Sequence, residues 1–203
     1  MTTVSCLLFD LGGVLVRNSA FDRLNELLPA PLGVETLKSQ LLASPSFRAF
    51  ELGRTTPESF ANSFVRELEL KCTPSEFLRE FASWPEGFYP GVEGMLSRLR
   101  TKYKVACLSN SNELHWARFD GFHQHFDVSL SSHLMHLIKP DAACFQRALA
   151  ECEKNAGEVI FFDDALPNVA AARSCGIQSF HVHGFDEVRF HIEELGLLPH
   201  AHA

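Results

Sequence analysis

The chain has 203 residues, 46% apolar and 21% charged, enough to bury roughly 70% of its unfolded surface in one large domain or in a core with a smaller companion. A formal net charge of -7 without any Lys/Arg run excludes the basic footprint of a nucleic-acid or anionic-membrane partner, and no apolar run reaches the length of a membrane span. The N-terminus lacks a basic segment followed by an apolar region and a cleavage site, and the six cysteines show no CxxC spacing, so a cytoplasmic protein with reduced, buried thiols is expected.

The first stretch of definite character is Ser5-Cys6-Leu7-Leu8-Phe9-Asp10-Leu11-Gly12-Gly13-Val14-Leu15-Val16. An apolar run bounded by turn chemistry reads as a buried strand of a parallel sheet, delivering Asp10 to a Gly-Gly turn. Ligands of open parallel sheets sit beyond the carboxyl ends of the strands, which places Asp10 at a site and lets backbone at the glycines approach a substrate. From Ser19 to about Ser83 the pattern is helical. Phe21, Leu24, Leu27 and Leu28 line one face closed by Pro29 and Pro31, and Val34, Leu37, Leu41 and Leu42 line a second. Thr56-Pro57-Glu58-Ser59 opens a helix with Phe60, Phe64, Val65 and Leu68; Thr73-Pro74-Ser75-Glu76 opens another with Phe77, Leu78 and Phe81 inward. Such an insertion is too long for a loop and reads as a small helical domain, cored by phenylalanines that include Phe47 and Phe50.

After Trp84-Pro85 and Pro90-Gly91 comes a helix bearing Val92, Met95, Leu96 and Leu99, then a buried strand from Tyr103 that ends on Ser109-Asn110. Glu113 to Phe119 reads as a helix and Phe126 to Leu130 as a third strand. Lys139-Pro140 precedes a helix with Phe145, Ala148 and Leu149, and Glu158 to Asp164 is a fourth strand ending on two acids. A helix from Asn168 to Ser174, closed at Gly176, leads to a last strand, Gln178 to Val182. The alternation predicts an α/β fold, a doubly wound parallel sheet with helices on both faces.

Three strands thus end on Asp10, on Ser109-Asn110 and on Asp163-Asp164, with Lys139 between the last two. A lysine among clustered carboxylates suits an anionic phosphoryl group, and paired acids in a partly dry site need a cation to share them. Oxygen donors point to Mg²⁺.

The order, spacing and flanking residues of Phe9-Asp10-Leu11-Gly12-Gly13-Val14-Leu15, Leu108-Ser109-Asn110, Lys139-Pro140 and Phe161-Phe162-Asp163-Asp164 resemble the four motifs of the haloacid dehalogenase-like hydrolase superfamily. The resemblance is to its phosphatase-rich branch. Gly12 and Glu51-Leu52-Gly53 look most like the bacterial glucose-1-phosphate phosphatase group. The resemblance implies a Rossmann-like catalytic core over residues 1–16 and 89–203, with an all-helical cap domain inserted over 17–88. It further implies a Mg²⁺-dependent phosphomonoesterase acting on a small phosphorylated metabolite, such as a sugar phosphate, as a monomer or homodimer. Asp10 would be the nucleophile, forming an aspartyl phosphate. Asp10, the backbone carbonyl of Gly12 and Asp164 would hold the metal, with Asp163 supporting through bound water. Lys139 would neutralise the phosphoryl group, and Ser109 with the Asn110 backbone N–H would bind its oxygens.

One departure stands out: most phosphatases of the superfamily carry a second Asp, a general acid and base, where this chain has Gly12. General acid–base catalysis is worth roughly 10²–10⁴-fold. Gly12 therefore leaves open a catalytically silent, regulatory member, and a metal-independent 2-haloacid dehalogenase is the other alternative, against which the Asp163-Asp164 pair argues. The histidine pairs His123/His125, His133/His136 and His181/His183 lack carboxylate or thiol partners at ligand spacing and read as rim or solvent residues rather than a zinc site. His115 and Trp116 are expected at the pocket mouth, and Glu51 with Arg54 as a pair facing substrate.

Overall fold

The structure, a computed structural model, describes residues 3–118 and 121–198. In chain order, β1 (Cys6–Phe9) leads through the Gly-Gly turn to β2 (Val16–Asn18) and to five helices: α1 (Ala20–Leu27), α2 (Val34–Ala43), α3 (Pro45–Glu51), α4 (Pro57–Glu67) and α5 (Pro74–Ala82). Then follow β3 (Pro85–Phe88), α6 (Val92–Leu99), β4 (Lys104–Ser109), α7 (Glu113–Arg118), β5 (Val128–Ser131) and α8 (Ser132–Met135). The remainder is α9 (Ala142–Cys152), β6 (Val159–Asp163), α10 (Leu166–Ser174), β7 (Gln178–His181) and α11 (Phe185–Glu194), with short 3-10 turns at Phe122–His125 and Ala156–Glu158.

The five long-range strands pair in parallel in the order β5-β4-β1-β6-β7, as the alternation predicts. β1 is central and its residues alternate between faces. Leu7 and Phe9 enter one apolar cluster with Val92, Leu96, Val188 and Ile192 of α6 and α11, whereas Cys6 and Leu8 enter another with Phe145 and Ala148 of α9 and Ala172 of α10. Burial on both faces explains the unbroken apolar runs in the sequence. The register sets Phe9 beside Cys107 on one neighbour and Phe162 on the other, so Asp10 lies level with Asp163, and Ser109 stands one residue further along its strand.

The helices of residues 20–82 bury their apolar faces in a cluster of their own. Phe60 is its hub, within 4.4–6.3 Å, centroid to centroid, of Phe47, Phe50, Phe64, Phe77 and Phe81. The expected helix starts form: the Thr56 side chain accepts the Ser59 N–H, and Thr73 and Glu76 make a reciprocal capping box. α3 has the same signature, with Ser44 accepting the Phe47 N–H ahead of Pro45, although the sequence reading gave it no separate helix.

Several expectations shift. The face expected on α2 is narrower: Leu37 and Leu41 are buried, but Val34 and Leu42 are exposed, because α2 packs against α1 and α3 along a single i, i+4 stripe. Val16–Asn18 and Pro85–Phe88 form an antiparallel ribbon at the two ends of the helical segment, too short to stand out by periodicity. The third strand begins at Val128 rather than Phe126. Beyond Val182, α11 forms because Phe185, Val188 and Ile192 share a buried face. Phe119, the expected end of α7, lies outside the described residues. All six cysteines are free, four of them buried. Among the described residues no helix is long and apolar enough to cross a membrane.

Replacing Phe60 by Ala removes the hub ring of the helical cluster. A loss of about 3–5 kcal/mol in urea denaturation is expected, and a loss under about 1 kcal/mol would show that the cluster is not a close-packed core.

Candidate active site

Asp10 continues β1, its N–H donating to the Phe162 carbonyl at 2.9 Å, so the acid is held level with the end of β6. Lys139, 2% exposed, comes from the loop before α9. Its Nζ donates to Asp163 Oδ2 at 2.6 Å and pairs with Asp10 Oδ1 at 2.9 Å. Two hydrogen bonds from one side chain fix the backbone of the lysine. The Asn110 side chain donates from Nδ2 to the Lys139 carbonyl (3.0 Å) and accepts the Lys139 N–H at Oδ1 (2.9 Å). Asn110 thus ties the end of β4 to the lysine loop through its side chain.

Asp163 has no exposure and its oxygens are fully used. Oδ1 accepts the Ala165 N–H (2.8 Å) and Asn168 Nδ2 (3.0 Å), and Oδ2 accepts Lys139 Nζ and Asn168 Nδ2 (3.2 Å). It therefore orients Lys139 and is left with little capacity for another partner. The carboxylates of Asp10, Asp163 and Asp164 each place an oxygen within 4.8 Å of the others. The turn after β1 has to let them in: Gly13 is at φ 73°, and a Cβ there would stand 2.9 Å from Asp164 Oδ2. Gly12 differs. It bridges to Val16, and the first atom a Cβ would meet is Asn18 Nδ2 at 3.4 Å. Ser109 is buried, its hydroxyl 3.4 Å from the Asn110 carbonyl.

Electrostatics follow from this crowding. Burial pushes the Asp10 carboxyl up to about 7 against the pull of Lys139, and Asp163 and Asp164 add to the push. Burial and Asp163 likewise raise Asp164, against Lys139 and Lys38. Burial disfavours the Lys139 ammonium, but Asp10 and Asp163 outweigh it and hold its pKa above the usual lysine value. Three carboxylates against one lysine leave an excess of negative charge in a nearly dry site. Oxygen donors in this number and spacing fit a divalent cation such as Mg²⁺.

The helical segment also reaches the site. Glu51, the last residue of α3, is partly buried and lies in the field of Lys139 and Asp10; burial pushes its carboxyl up to about 8. Arg54, its expected companion, is exposed. Lys38 of α2 acts on Asp164 and stands 5.6 Å from the centre of the Phe21 ring.

Sequence reasoning missed Asn168, which follows the two acids by one helical turn, and Ser132, which meets the site only through tertiary contact. It also set aside His181 as a rim residue, yet His181 Nε2–H donates to the Asp164 carbonyl at 2.9 Å. The pocket-mouth expectation for His115 is corrected. Its Nε2–H donates to the Phe81 carbonyl (2.8 Å) and its ring stacks on Phe81 at 4.2 Å, joining α7 to α5, and burial lowers its pKa to about 4, so it is neutral. Trp116 packs on Phe122, His123 and His133.

A family model of haloacid dehalogenase-like hydrolases matches residues 4–176. The chain is 24% identical over 194 residues to the sesquiterpene phosphatase astK of Aspergillus oryzae, covering 89% of this chain and 91% of that one. It is 31% identical over 130 residues to the phosphatase MT3486 of Mycobacterium tuberculosis, covering 61% and 59%. Among solved structures, a predicted HAD-like family hydrolase of Porphyromonas gingivalis superposes with a TM-score of 0.75 at 23% identity, over 96% of this chain and 98% of that one. The HAD family enzyme bt-2542 of Bacteroides thetaiotaomicron, in complex with magnesium and inorganic phosphate, superposes with a TM-score of 0.70 at 22% identity, over 88% and 93%.

The raised carboxyls make stability depend on pH. Glu51 binds its proton more tightly folded than unfolded, so its contribution is present below about pH 4.5 and is lost as pH rises towards 8. In chelator-treated protein, Glu51→Gln should gain melting temperature relative to the parent at pH 8 but not at pH 5. A difference between the two proteins that is the same at both pH values would contradict this.

Proposed function

The chain belongs to the haloacid dehalogenase-like hydrolases, and from that premise we propose that it hydrolyses a small phosphomonoester in two steps, with Asp10 as nucleophile and Mg²⁺ as metal. The observation that carries the proposal is the Lys139 ammonium held between Asp10 and Asp163, with Asp164 beside them, at the ends of adjacent parallel strands. A carboxylate oxygen of Asp10 attacks phosphorus, the bond from phosphorus to the leaving oxygen breaks, and water then hydrolyses the aspartyl phosphate. Lys139 orients Asp10 and meets the developing charge on the phosphoryl oxygens, which Ser109 and the Asn110 N–H also bind.

Asp10, Asp164 and the Gly12 carbonyl would hold Mg²⁺, with Asp163 supporting through bound water; the four hydrogen bonds that Asp163 already accepts argue against its binding the metal directly. When bound, the metal supplies positive charge against the phosphoryl oxygens and offsets repulsion among the acids. Residues 17–88 act as a cap over the core formed by 1–16 and 89–203, and the positions of Glu51 and Lys38 near the acids support that division. The same acid pair argues against a metal-independent dehalogenase, in which Asp163 and Asp164 would have no cation to share.

Purified protein should release phosphate from p-nitrophenyl phosphate and members of a sugar-phosphate panel only with Mg²⁺. No turnover on any ester with metal present would contradict the proposal. Asp10→Asn should retain under about 1% of turnover, and Lys139→Ala should lose about 10²–10³-fold in kcat. Appreciable activity in clean Asp10→Asn protein would remove Asp10 as nucleophile.

A further inference from the structure

Cleaving the phosphate ester of an alcohol leaves an alkoxide that needs a proton, and the groups around Asp10 differ in their ability to give one. Lys139 is committed to two carboxylates and held firmly cationic. Asp163 has its oxygens filled by donors, and Gly12 has no side chain to offer. Glu51 is placed differently. Three consecutive residues at the end of α3 are fastened to the core through their backbone. The Ser111 N–H donates to Ser132 Oγ (2.9 Å), whose hydroxyl donates to the Glu51 carbonyl (2.6 Å). His136 Nδ1–H donates to the Leu52 carbonyl at 2.8 Å. Gly53, at φ 64°, lies so near α8 that a Cβ would stand 2.4 Å from the His133 carbonyl oxygen. Only glycine permits that approach.

Thus fastened, Glu51 holds its carboxyl in a buried setting within the field of Lys139 and Asp10, with Arg48 the charge acting on it from its own helix. Arg48 is itself drawn off to Asp141 at 2.9 Å. Among the described residues nothing donates a hydrogen bond to the Glu51 carboxyl. It is a carboxyl group brought to the reacting pair by the fold and left without a structural partner.

We propose that Glu51 is the general acid and base of this hydrolase, supplied by the helical segment in the absence of a side chain at Gly12. The inference rests on the phosphatase reading above. In the first step, the Asp10 oxygen bonds to phosphorus, the bond to the ester oxygen breaks, and the Glu51 carboxyl gives its proton to that oxygen, releasing the alcohol. In the second, the Glu51 carboxylate takes a proton from water as the water oxygen bonds to phosphorus, and inorganic phosphate leaves Asp10. Both residues then return to their starting states. Burial favours the protonated form of the Glu51 carboxyl, the form the first step needs.

The test compares leaving groups in the full chain with Mg²⁺, using glycerol 2-phosphate, whose alkoxide needs a proton, and p-nitrophenyl phosphate, whose phenolate scarcely does. Glu51→Gln should lose about 10²-fold or more in kcat on the first and less than about tenfold on the second. Position 12 is sterically open, so adding Gly12→Asp to Glu51→Gln should recover at least about tenfold on glycerol 2-phosphate. Equal losses on the two esters, no loss on either, or a double variant no better than the single would overturn the assignment of Glu51 while leaving the phosphatase reading in place. Failure of the parent protein to hydrolyse either ester would overturn both.

Discussion

The ion triplet of Asp10, Lys139 and Asp163 is the interaction on which the remaining features of the site depend. A lysine that is 2% exposed would be costly to bury alone, and so would either carboxylate. Placed 2.9 and 2.6 Å from two acids, the ammonium is satisfied, and each acid gains a partner. The parallel sheet makes this possible because β1 and β6 deliver Asp10 and Asp163 at the same level beside the end of β4, and the loop carrying Lys139 is tied to β4 by both ends of the Asn110 amide. Apolar packing on both faces of the sheet fixes those strand ends, so the core and the site are consequences of one register.

The same triplet leaves a charge imbalance that gives the site its chemistry. Asp164 adds a third carboxylate that the lysine cannot neutralise, and Gly13 has to lack a side chain for it to approach. Burial raises the Asp10 pKa, and Asp163 and Asp164 add to the rise, so ionising all three acids here is unfavourable without a cation to share them. A divalent cation relieves it, and so does a proton. The competition between them links metal occupancy, pH and stability in this fold.

Most of the core was legible in the sequence because its strands are short apolar runs that stop abruptly on polar residues, and because strand and helix alternate after Pro90. Asp10, Lys139, Asp163 and Asp164 stood out for the same reason, as charges at the ends of otherwise apolar runs. What escaped notice depends on contacts far apart in the chain. Ser132 and His136 reach α3 across more than eighty residues, and His181 reaches a backbone carbonyl rather than a side chain, so neither leaves a local pattern. α2 illustrates a second limit: its spacing shows which residues can share a face, but only its neighbours decide how wide that face is. Glu51 was visible as a polar residue in a phenylalanine-rich segment, yet Arg54, expected beside it, is exposed. Gly53, pressed against the His133 carbonyl, stands between the two in the chain.

Asp10 as the residue that bonds to phosphorus is the central step of the proposed chemistry. Acid quenching during steady turnover of a phosphomonoester with Mg²⁺, followed by peptide mass mapping, reads this directly. A phosphoryl group on the peptide bearing Asp10, absent from Asp10→Asn protein, is the predicted result. Steady turnover with no phosphoryl group on that peptide, or the group on another residue, would contradict the account.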